Sequence, residues 1–188
     1  EIGVRLVGSE MCIRDRACIE EPYNPKYVPR SGDTNLFARL SELQEHIKTP
    51  VCLDESVVTA QDMEEAMDFD NLKCYALKVA KFGGIQPMLD FYHWLRDQGK
   101  LPWMGGMFDT GVSKRMHAAF ATLPGMDLPA DVSDYSEYFQ HDTAIPPLVL
   151  SNGELVLNNP DHPAGLGCVL DKAYLQSVLV DEITIAKE

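Results

Sequence analysis

Short apolar runs alternate along this chain with longer stretches in which apolar residues recur at the spacing of one helix face. The four clearest runs are Ala17–Ile19, Val51–Leu53, Tyr75–Leu77 and Leu101–Met104. The stretch after the first run has Leu36, Phe37, Leu40, Leu43 and Ile47 on one helical face, and similar patterns span 61–67, 87–99 and 112–123. Short strands that are each followed by an amphipathic helix predict βα units around a parallel sheet.

Polar residues stand where each predicted strand ends. Glu20 follows the first run, Asp54 the second and Lys78 the third, while Gly105-Gly106 follows the fourth. These positions are spaced close to the roughly 30 residues of one βα unit. In a βα barrel the carboxyl ends of the strands carry the chemistry. We therefore expect two carboxylates and one lysine to meet at the mouth of a barrel.

An open, doubly wound sheet would also gather its strand ends at one edge. Such sheets commonly bind phosphates through a glycine-rich loop, and the sequence contains neither Gly-x-Gly-x-x-Gly nor Gly-x-x-x-x-Gly-Lys. The absence of both motifs favours the barrel.

The pattern changes after Leu123. Residues 127–131 are predicted to form a last barrel strand, and Asn152-Gly153 indicates a hairpin turn. Asp171 is expected to cap a final short helix that contains Leu175 and Val178.

Composition and charge narrow the range of partners. The chain has 188 residues, 45% of them hydrophobic, with 16 basic against 29 acidic side chains and a net charge of −13. This acidity argues against nucleic-acid and anionic-membrane partners, which select clustered Lys and Arg. No apolar run approaches the roughly 20 residues of a membrane span. The five cysteines form no Cys-x-x-Cys pair and indicate free thiols in a reducing cytoplasm rather than a disulfide framework or a zinc site.

Residues 1–16 differ from the rest of the chain. They show neither helix nor strand periodicity, and 6–16 resemble the translation of an adapter used to prepare sequencing libraries. We expect 1–16 to be a non-native segment and 17–188 to be a partial barrel domain with a C-terminal tail; a genuine polar arm is the alternative.

Carboxylates at two strand ends suit a hard divalent cation such as Mg²⁺, which binds oxygen ligands in near-octahedral geometry. A lysine beside such a cation loses its proton more easily. Together these groups can remove a proton next to a carboxylate. Each residue alone has a simpler interpretation, because strand-end carboxylates often cap helices and lysines are commonly exposed.

Several motifs carry a family resemblance. They are IEEP (19–22), TPVCLDES (49–56), LKVAKFGG (77–84), WMGGMFDTG (103–111), LPADVS (128–133) and Gly165-Leu166-Gly167. In this order they resemble the successive strand ends of the enolase superfamily, within the muconate-lactonizing subgroup, near o-succinylbenzoate synthases and N-acylamino acid racemases. The resemblance implies an α/β fold, the C-terminal part of a (β/α)7β TIM-like barrel.

The resemblance also implies roles for particular residues. Glu20 and Asp54 match metal ligands, with Mg²⁺ as the ion or Mn²⁺ as an alternative, and Lys78 matches a catalytic lysine. Glu21 replaces a usual glutamine, which leaves open which member of the pair binds the metal. The implied substrate-binding residues are Gly105, Gly106, Met107, Asp109 and Asp131.

The implied activity is Mg²⁺-dependent abstraction of an α-proton from a small-molecule carboxylate through an enediolate. Dehydration to o-succinylbenzoate, a step of menaquinone biosynthesis, is the leading expectation; N-acylamino acid racemisation and muconate cycloisomerisation are the alternatives. A non-catalytic binding or scaffold relative is an alternative of another class. The sequence leaves open whether the full-length protein is a homo-oligomer.

The family's capping domain, its Lys-x-Lys strand and its first metal-binding aspartate have no counterpart before Ala17. We therefore expect the 188 residues alone to be inactive and a full-length parent to be active.

Overall fold

The structure is a computed structural model, and it describes residues 16–24, 26, 35–157, 161, 164–181 and 183. Its strands are β1 (Ile19–Glu20), β2 (Val51–Leu53), β3 (Cys74–Leu77), β4 (Leu101–Met104), β5 (Ala144–Ile145), β6 (Leu150–Ser151), β7 (Glu154–Leu155) and β8 (Val169–Leu170). Its helices are α1 (Leu36–His46), α2 (Ala60–Met67), α3 (Ile85–Asp97), α4 (Gly111–Phe120) and α5 (Lys172–Ser177), with a 3₁₀ turn at Tyr135–Glu137. The chain divides into two compact units, with the described part of Glu1–Gly105 and Leu123–Ala130 in the first and Gly106–Thr122 and Asp131–Glu188 in the second.

The first unit contains a four-stranded parallel sheet in the order β1-β2-β3-β4. Ile19 pairs with Val51, and Cys52 pairs with Cys74, so the carboxyl ends of neighbouring strands lie side by side. Every residue of β2 and β3 is buried. Because alternate residues of a strand point to opposite faces, one face carries Cys52 and then Asp54, and the same face carries Ala76 and then Lys78.

The helices of the first unit begin at local signals that the sequence contains. The side chain of Asn35 accepts a hydrogen bond from the backbone N–H of Ala38 and caps α1. Thr59 and Asp62 form a reciprocal capping box at the start of α2. The helix predicted after Gly83-Gly84 also forms, and α3 begins two residues before Pro87, which occupies its first turn.

The second unit contains α4, α5 and two small antiparallel pairs, β5 with β8 and β6 with β7. The turn between β6 and β7 holds Asn152-Gly153, as predicted, and both residues have positive φ angles. The guanidinium of Arg115, a buried residue of α4, donates hydrogen bonds to the carbonyl oxygens of Pro146 (3.0 Å) and Pro147 (3.4 Å). Asp171 caps α5 through the backbone N–H of Tyr174, which confirms that prediction.

One predicted element does not form. Residues 127–131 carry no strand assignment, and the prediction of a last barrel strand there is wrong for this structure. Pro129 interrupts the run and removes a ladder donor, which explains why the segment does not pair.

None of the helices that the structure describes is long and apolar enough to cross a bilayer.

Candidate functional site

Asp54 lies at the centre of a charged group at the ends of β2 and β3. Its carboxylate oxygen Oδ2 contacts the ammonium of Lys78, and Oδ1 lies 2.8 Å from the Nζ of Lys81. Lys81 also donates to the carbonyl oxygens of Asp54 (3.0 Å) and Ala76 (2.7 Å). Asp54 is only 1% exposed, so this carboxylate is buried between two lysines.

Glu20 and Glu21, at the end of β1, have different surroundings. The Oε1 atom of Glu21 accepts hydrogen bonds from the backbone N–H groups of Asp54 (2.8 Å) and Ser56 (2.9 Å) and from the Ser56 hydroxyl. Glu21 has a φ of 37°, a strained value for a residue with a side chain, and this turn lets its carboxylate brace the next strand end. Glu20 interacts instead with the carboxyl of Asp54.

The pKa values of these groups follow from their shared partner. Desolvation, followed by a hydrogen bond to Asp54 and the charge of Asp54, raises the pKa of Glu20 to about 7. Burial alone would raise the pKa of Asp54, but the charge of Lys81 and the hydrogen bonds to it hold that pKa below its usual value. Burial acts to lower the pKa of Lys78, but the hydrogen bond to Asp54 has the larger effect, and the pKa of Lys78 is raised. At Lys81 the effect of burial is larger than the attraction of Asp54, and the pKa of Lys81 is lowered.

Gly105 follows β4 and lies against the side chain of Lys78. A Cβ atom at Gly105 would lie 2.6 Å from the Lys78 Cε and 3.4 Å from the Ala76 Cβ. No contact of two carbon atoms is that short, so the lysine stem occupies the place of the missing side chain. Three strand ends and this glycine therefore fix Glu20, Asp54 and Lys78 together, which is the convergence predicted from the sequence.

The sequence model of the enolase C-terminal domain-like family matches residues 11–174. The chain belongs to this family. This membership agrees with the resemblance predicted from the strand-end motifs.

Individual relatives support this membership. The o-succinylbenzoate synthase of Enterococcus faecalis is 32% identical over 131 residues, which cover 70% of this chain and 34% of that protein. The N-succinylamino acid racemase of an Amycolatopsis species is 33% identical over 147 residues, covering 78% of this chain and 38% of that protein. A crystal structure of an enolase-superfamily member from Listeria innocua matches with a TM-score of 0.73 and 28% identity, over 92% of this chain and 43% of that one.

These relatives confirm the predicted fold class, an α/β chain corresponding to part of an enolase-superfamily barrel domain. They also confirm that the family is one of lyases and isomerases. The chain spans only 30% to 44% of the length of the o-succinylbenzoate synthases that it matches.

The second unit holds a separate group of predicted enolase-type pocket residues. A cavity of about 190 Å³ is lined by Gly106, Met107, Phe108, Asp131, Ser133 and Tyr138. A Cβ at Gly106 would lie 2.3 Å from the carbonyl oxygen of Asp131, so only glycine fits there. Phe108 is 79% exposed and packs edge-on against Tyr138 with 4.7 Å between ring centroids. The cavity is smaller than the roughly 300–1,000 Å³ of a typical ligand pocket, so it can hold only part of a ligand.

Asp109 is placed differently from its neighbours. It is not among the residues that line this cavity, and its Oδ2 lies 3.5 Å from the Nδ1 of the buried His117. The family resemblance implies a substrate-binding role for Asp109. The structure pairs Asp109 with His117 and gives it no direct position in this cavity.

Lys81 also belongs to this charged group, although nothing in the sequence indicated that it should be included. Its partner could not be identified from the sequence, because Asp54 lies 27 residues earlier and follows a different strand.

The residues present fit a hard divalent cation. Glu20 and Asp54 bring two carboxylates close enough that each changes the pKa of the other, and a cation between them would relieve that repulsion. The Oε2 atom of Glu21 is buried without a hydrogen-bond partner, so a third carboxylate oxygen is unsatisfied beside the same strand end. Oxygen donors of this kind are those that Mg²⁺ and Mn²⁺ prefer.

Proposed function

We propose that the protein containing this chain abstracts an α-proton from a small-molecule carboxylate in a Mg²⁺-dependent reaction, with dehydration to o-succinylbenzoate as the leading candidate. The proposal rests on the buried Asp54, whose carboxylate contacts the ammonium of Lys78. The same carboxylate interacts with Glu20, which lies at the end of the neighbouring strand. Glu20 and Asp54 would hold the cation. The relatives that act as o-succinylbenzoate synthases support this choice.

Lys78 is the proposed base. Its Nζ must be neutral to take a proton, and its contact with Asp54 keeps it protonated. Bound Mg²⁺ would engage Asp54 and neutralise the negative charge that develops on the substrate carboxylate. Lys81 holds the Asp54 carboxylate from the opposite side and keeps it oriented when Lys78 turns towards substrate. Gly105 leaves the space into which the lysine stem fits.

N-acylamino acid racemisation is the second candidate. The racemase of Amycolatopsis is 33% identical to this chain, and the synthase of Enterococcus is 32% identical, so sequence identity does not separate the two activities. Both reactions begin with removal of the same kind of proton, so the residues of the first unit suit either. We propose that the cavity of the second unit, with Asp131 and the Phe108–Tyr138 pair, contributes to the choice of substrate.

The test measures exchange of the substrate α-proton with solvent deuterium by NMR, because this step precedes either product. The substrate is the cyclohexene-carboxylate whose dehydration gives o-succinylbenzoate. We expect the full-length protein to exchange its α-proton in the presence of Mg²⁺. The 188 residues alone are expected to show no exchange, because Glu20 and Asp54 supply only two of the three metal ligands that the family resemblance implies.

Lys78→Ala should lower the exchange at least about 100-fold, the smallest typical contribution of a positioned base. The matched control is Lys73→Ala, an exposed lysine one residue before β3, which should retain full activity. Exchange that is unchanged in Lys78→Ala, or that proceeds equally well in EDTA, would refute the proposal. Binding of the carboxylate without any exchange would favour a non-catalytic relative.

A further inference from the structure

Three cysteine thiols lie close together in the sheet of the first unit, on the face that carries Asp54 and Lys78 but nearer the amino ends of the strands. The Sγ atoms of Cys18, Cys52 and Cys74 all lie within 4.8 Å of one another. They come from β2, β3 and the residue preceding β1, and Cys52 and Cys74 are direct partners in the sheet register. None of the three is in a disulfide. This thiol cluster takes no part in the proposed reaction.

The thiol cluster has apolar surroundings. Cys52 and Cys74 are fully buried with Ala76 and Trp103, and the partly buried Leu128 packs against the same group. The indole N–H of Trp103 donates to the Cys52 Sγ at 3.0 Å. Cys18 is only half-buried and gives the cluster one thiol that solutes can reach.

The distances suit one ion held by three sulfurs. A sulfur ligand lies about 2.3 Å from an ion such as zinc, so three sulfurs around one ion are at most about 4 Å apart. The sulfur atoms here are at most 4.8 Å apart, so small side-chain rotations suffice to bring them to that spacing. Structural zinc sites take four protein ligands, whereas this group has three members among the residues that the structure describes.

Charge determines which ion suits this place. Three thiolates leave a net charge of −1 on a divalent ion and −2 on a monovalent one, and burying such a charge among apolar side chains is unfavourable. A trivalent ion gives a neutral complex. The apolar layer formed by Ala76, Trp103 and Leu128 therefore favours a thiol-binding trivalent element over zinc or copper.

We propose that Cys18, Cys52 and Cys74 form a three-thiol binding site for trivalent arsenic, taken up as arsenite. In the reaction three As–O and three S–H bonds break, and three As–S bonds form. Each thiol hydrogen leaves with one hydroxide of As(OH)₃ as water, so three waters are released. No atom changes oxidation state, and no external base or oxidant is required. The half-buried Cys18 reacts first, followed by the two buried thiols.

The experiment is a titration of the reduced 188-residue chain with sodium arsenite. We expect one arsenic atom per chain, replacing three hydrogens in the intact mass, together with a change in tryptophan fluorescence because Trp103 contacts Cys52. Cys18→Ser should weaken arsenite binding at least about tenfold, which corresponds to about 1.4 kcal/mol. The matched control is Cys168→Ser, which removes another half-buried free thiol and should leave the affinity unchanged.

Two further variants keep the test decisive. If Cys18→Ser does not fold by circular dichroism, Cys74→Ala replaces it with the same expectation. Trp103→Phe should abolish the fluorescence change but retain the change in mass. The proposal would be overturned if Cys18→Ser bound arsenite as tightly as the parent chain, or if the intact mass showed replacement of only two hydrogens. It would also be overturned if the chain unfolded in urea bound arsenite equally well, or if Cd²⁺ bound more tightly than arsenite.

Discussion

Asp54 shows how one buried carboxylate gives two lysines opposite properties. Both ammonium groups contact it, yet the pKa of Lys78 is raised and that of Lys81 is lowered. The difference follows from burial, because desolvation outweighs the attraction of Asp54 at Lys81 but not at Lys78. Lys81 has three oxygen acceptors within 3.0 Å and serves to orient Asp54, while Lys78 has that one carboxylate as its principal partner.

Replacement of Lys81 tests this division of roles. We expect Lys81→Met to lower the free energy of unfolding by about 1.5–3 kcal/mol, the range for lost hydrogen bonds to charged groups, because buried oxygens of Asp54 and Ala76 lose their donor. The measurement is urea denaturation followed by circular dichroism. Lys73→Met, at an exposed lysine, is the control and should change stability by less than about 0.5 kcal/mol. Equal losses in the two variants would contradict the assignment.

The raised pKa of Glu20 predicts a pH dependence. Between pH 4.5, its ordinary pKa, and about 7, the folded protein holds a proton that the unfolded chain releases, so this group makes stability fall as pH rises through that interval. A cation needs the ionised form, so Mg²⁺ affinity should rise about tenfold per pH unit below 7 and level off above it. Isothermal titration calorimetry of the full-length protein measures this slope.

Glu20→Gln is the test variant for that pH profile. It should bind Mg²⁺ more weakly and lose the pH dependence between 4.5 and 7. Glu45→Gln, at an exposed position of α1, should keep the parental profile. A parental profile in Glu20→Gln would show that another group binds the metal, and Glu21 would then be the first candidate.

Helix α4 shows how an element can depend on a residue far away in the sequence. Thr110 occupies its N-cap position but makes no side-chain cap. The buried Asp142 supplies the acceptor instead, because its Oδ1 accepts from the backbone N–H of Gly111 at 2.7 Å and its Oδ2 from that of Leu148 at 3.3 Å. The carboxylate also lies favourably at the positive end of the helix dipole.

We expect Asp142→Ala to lower the free energy of unfolding by about 1–3 kcal/mol, because two buried N–H groups lose their acceptor. Asp142→Asn keeps an acceptor oxygen and should lose less. Urea denaturation monitored by circular dichroism gives both values. Asp127→Ala removes an exposed carboxylate and is the matched control. A change no larger than that of the control would mean that α4 does not depend on this cap.

Elements defined by local pattern were predictable, and those defined by long-range contacts were not. Strands β2 and β4 occur at the predicted residues, and β3 begins one residue earlier. The prediction of a strand at 127–131 failed because periodicity alone cannot show whether a partner strand is available. The convergence of Cys18, Cys52 and Cys74 was equally hidden, since it depends on the register of three strands and not on spacing along the chain.

At the scale of the molecule, strand order explains why the strand-end residues could be predicted together. Parallel strands in sequential order place successive carboxyl ends side by side, so Glu20, Asp54 and Lys78 needed no further information to be grouped. The side-chain partners of individual site residues, in contrast, could be identified only from the structure. The hydrogen bond from the backbone N–H of Asp54 to Glu21 and the pairing of Asp109 with His117 both depend on side-chain orientation.

The interpretation of 1–16 as a non-native segment can be tested on the molecule as a whole. The segment contains three acidic and three basic residues, so its removal leaves the net charge at −13. We expect deletion of 1–16 to leave the midpoint of urea unfolding unchanged. Deletion of 1–20, which also removes β1 with Glu20, serves as the positive control and should lower it. A lower midpoint after deletion of 1–16 would favour a genuine N-terminal arm.

The closeness of Gly105 to Lys78 has a consequence for how such a protein can diversify. Any side chain at Gly105 must displace the end of the Lys78 stem, so a substitution at that position moves the proposed base. Two and three residues later, Met107 and the largely exposed Phe108 line the cavity of the second unit. Under the proposed function, the glycine that lies against the base and the residues that line the substrate-selecting cavity are neighbours in the sequence. A lineage can then change the cavity while it keeps Gly105.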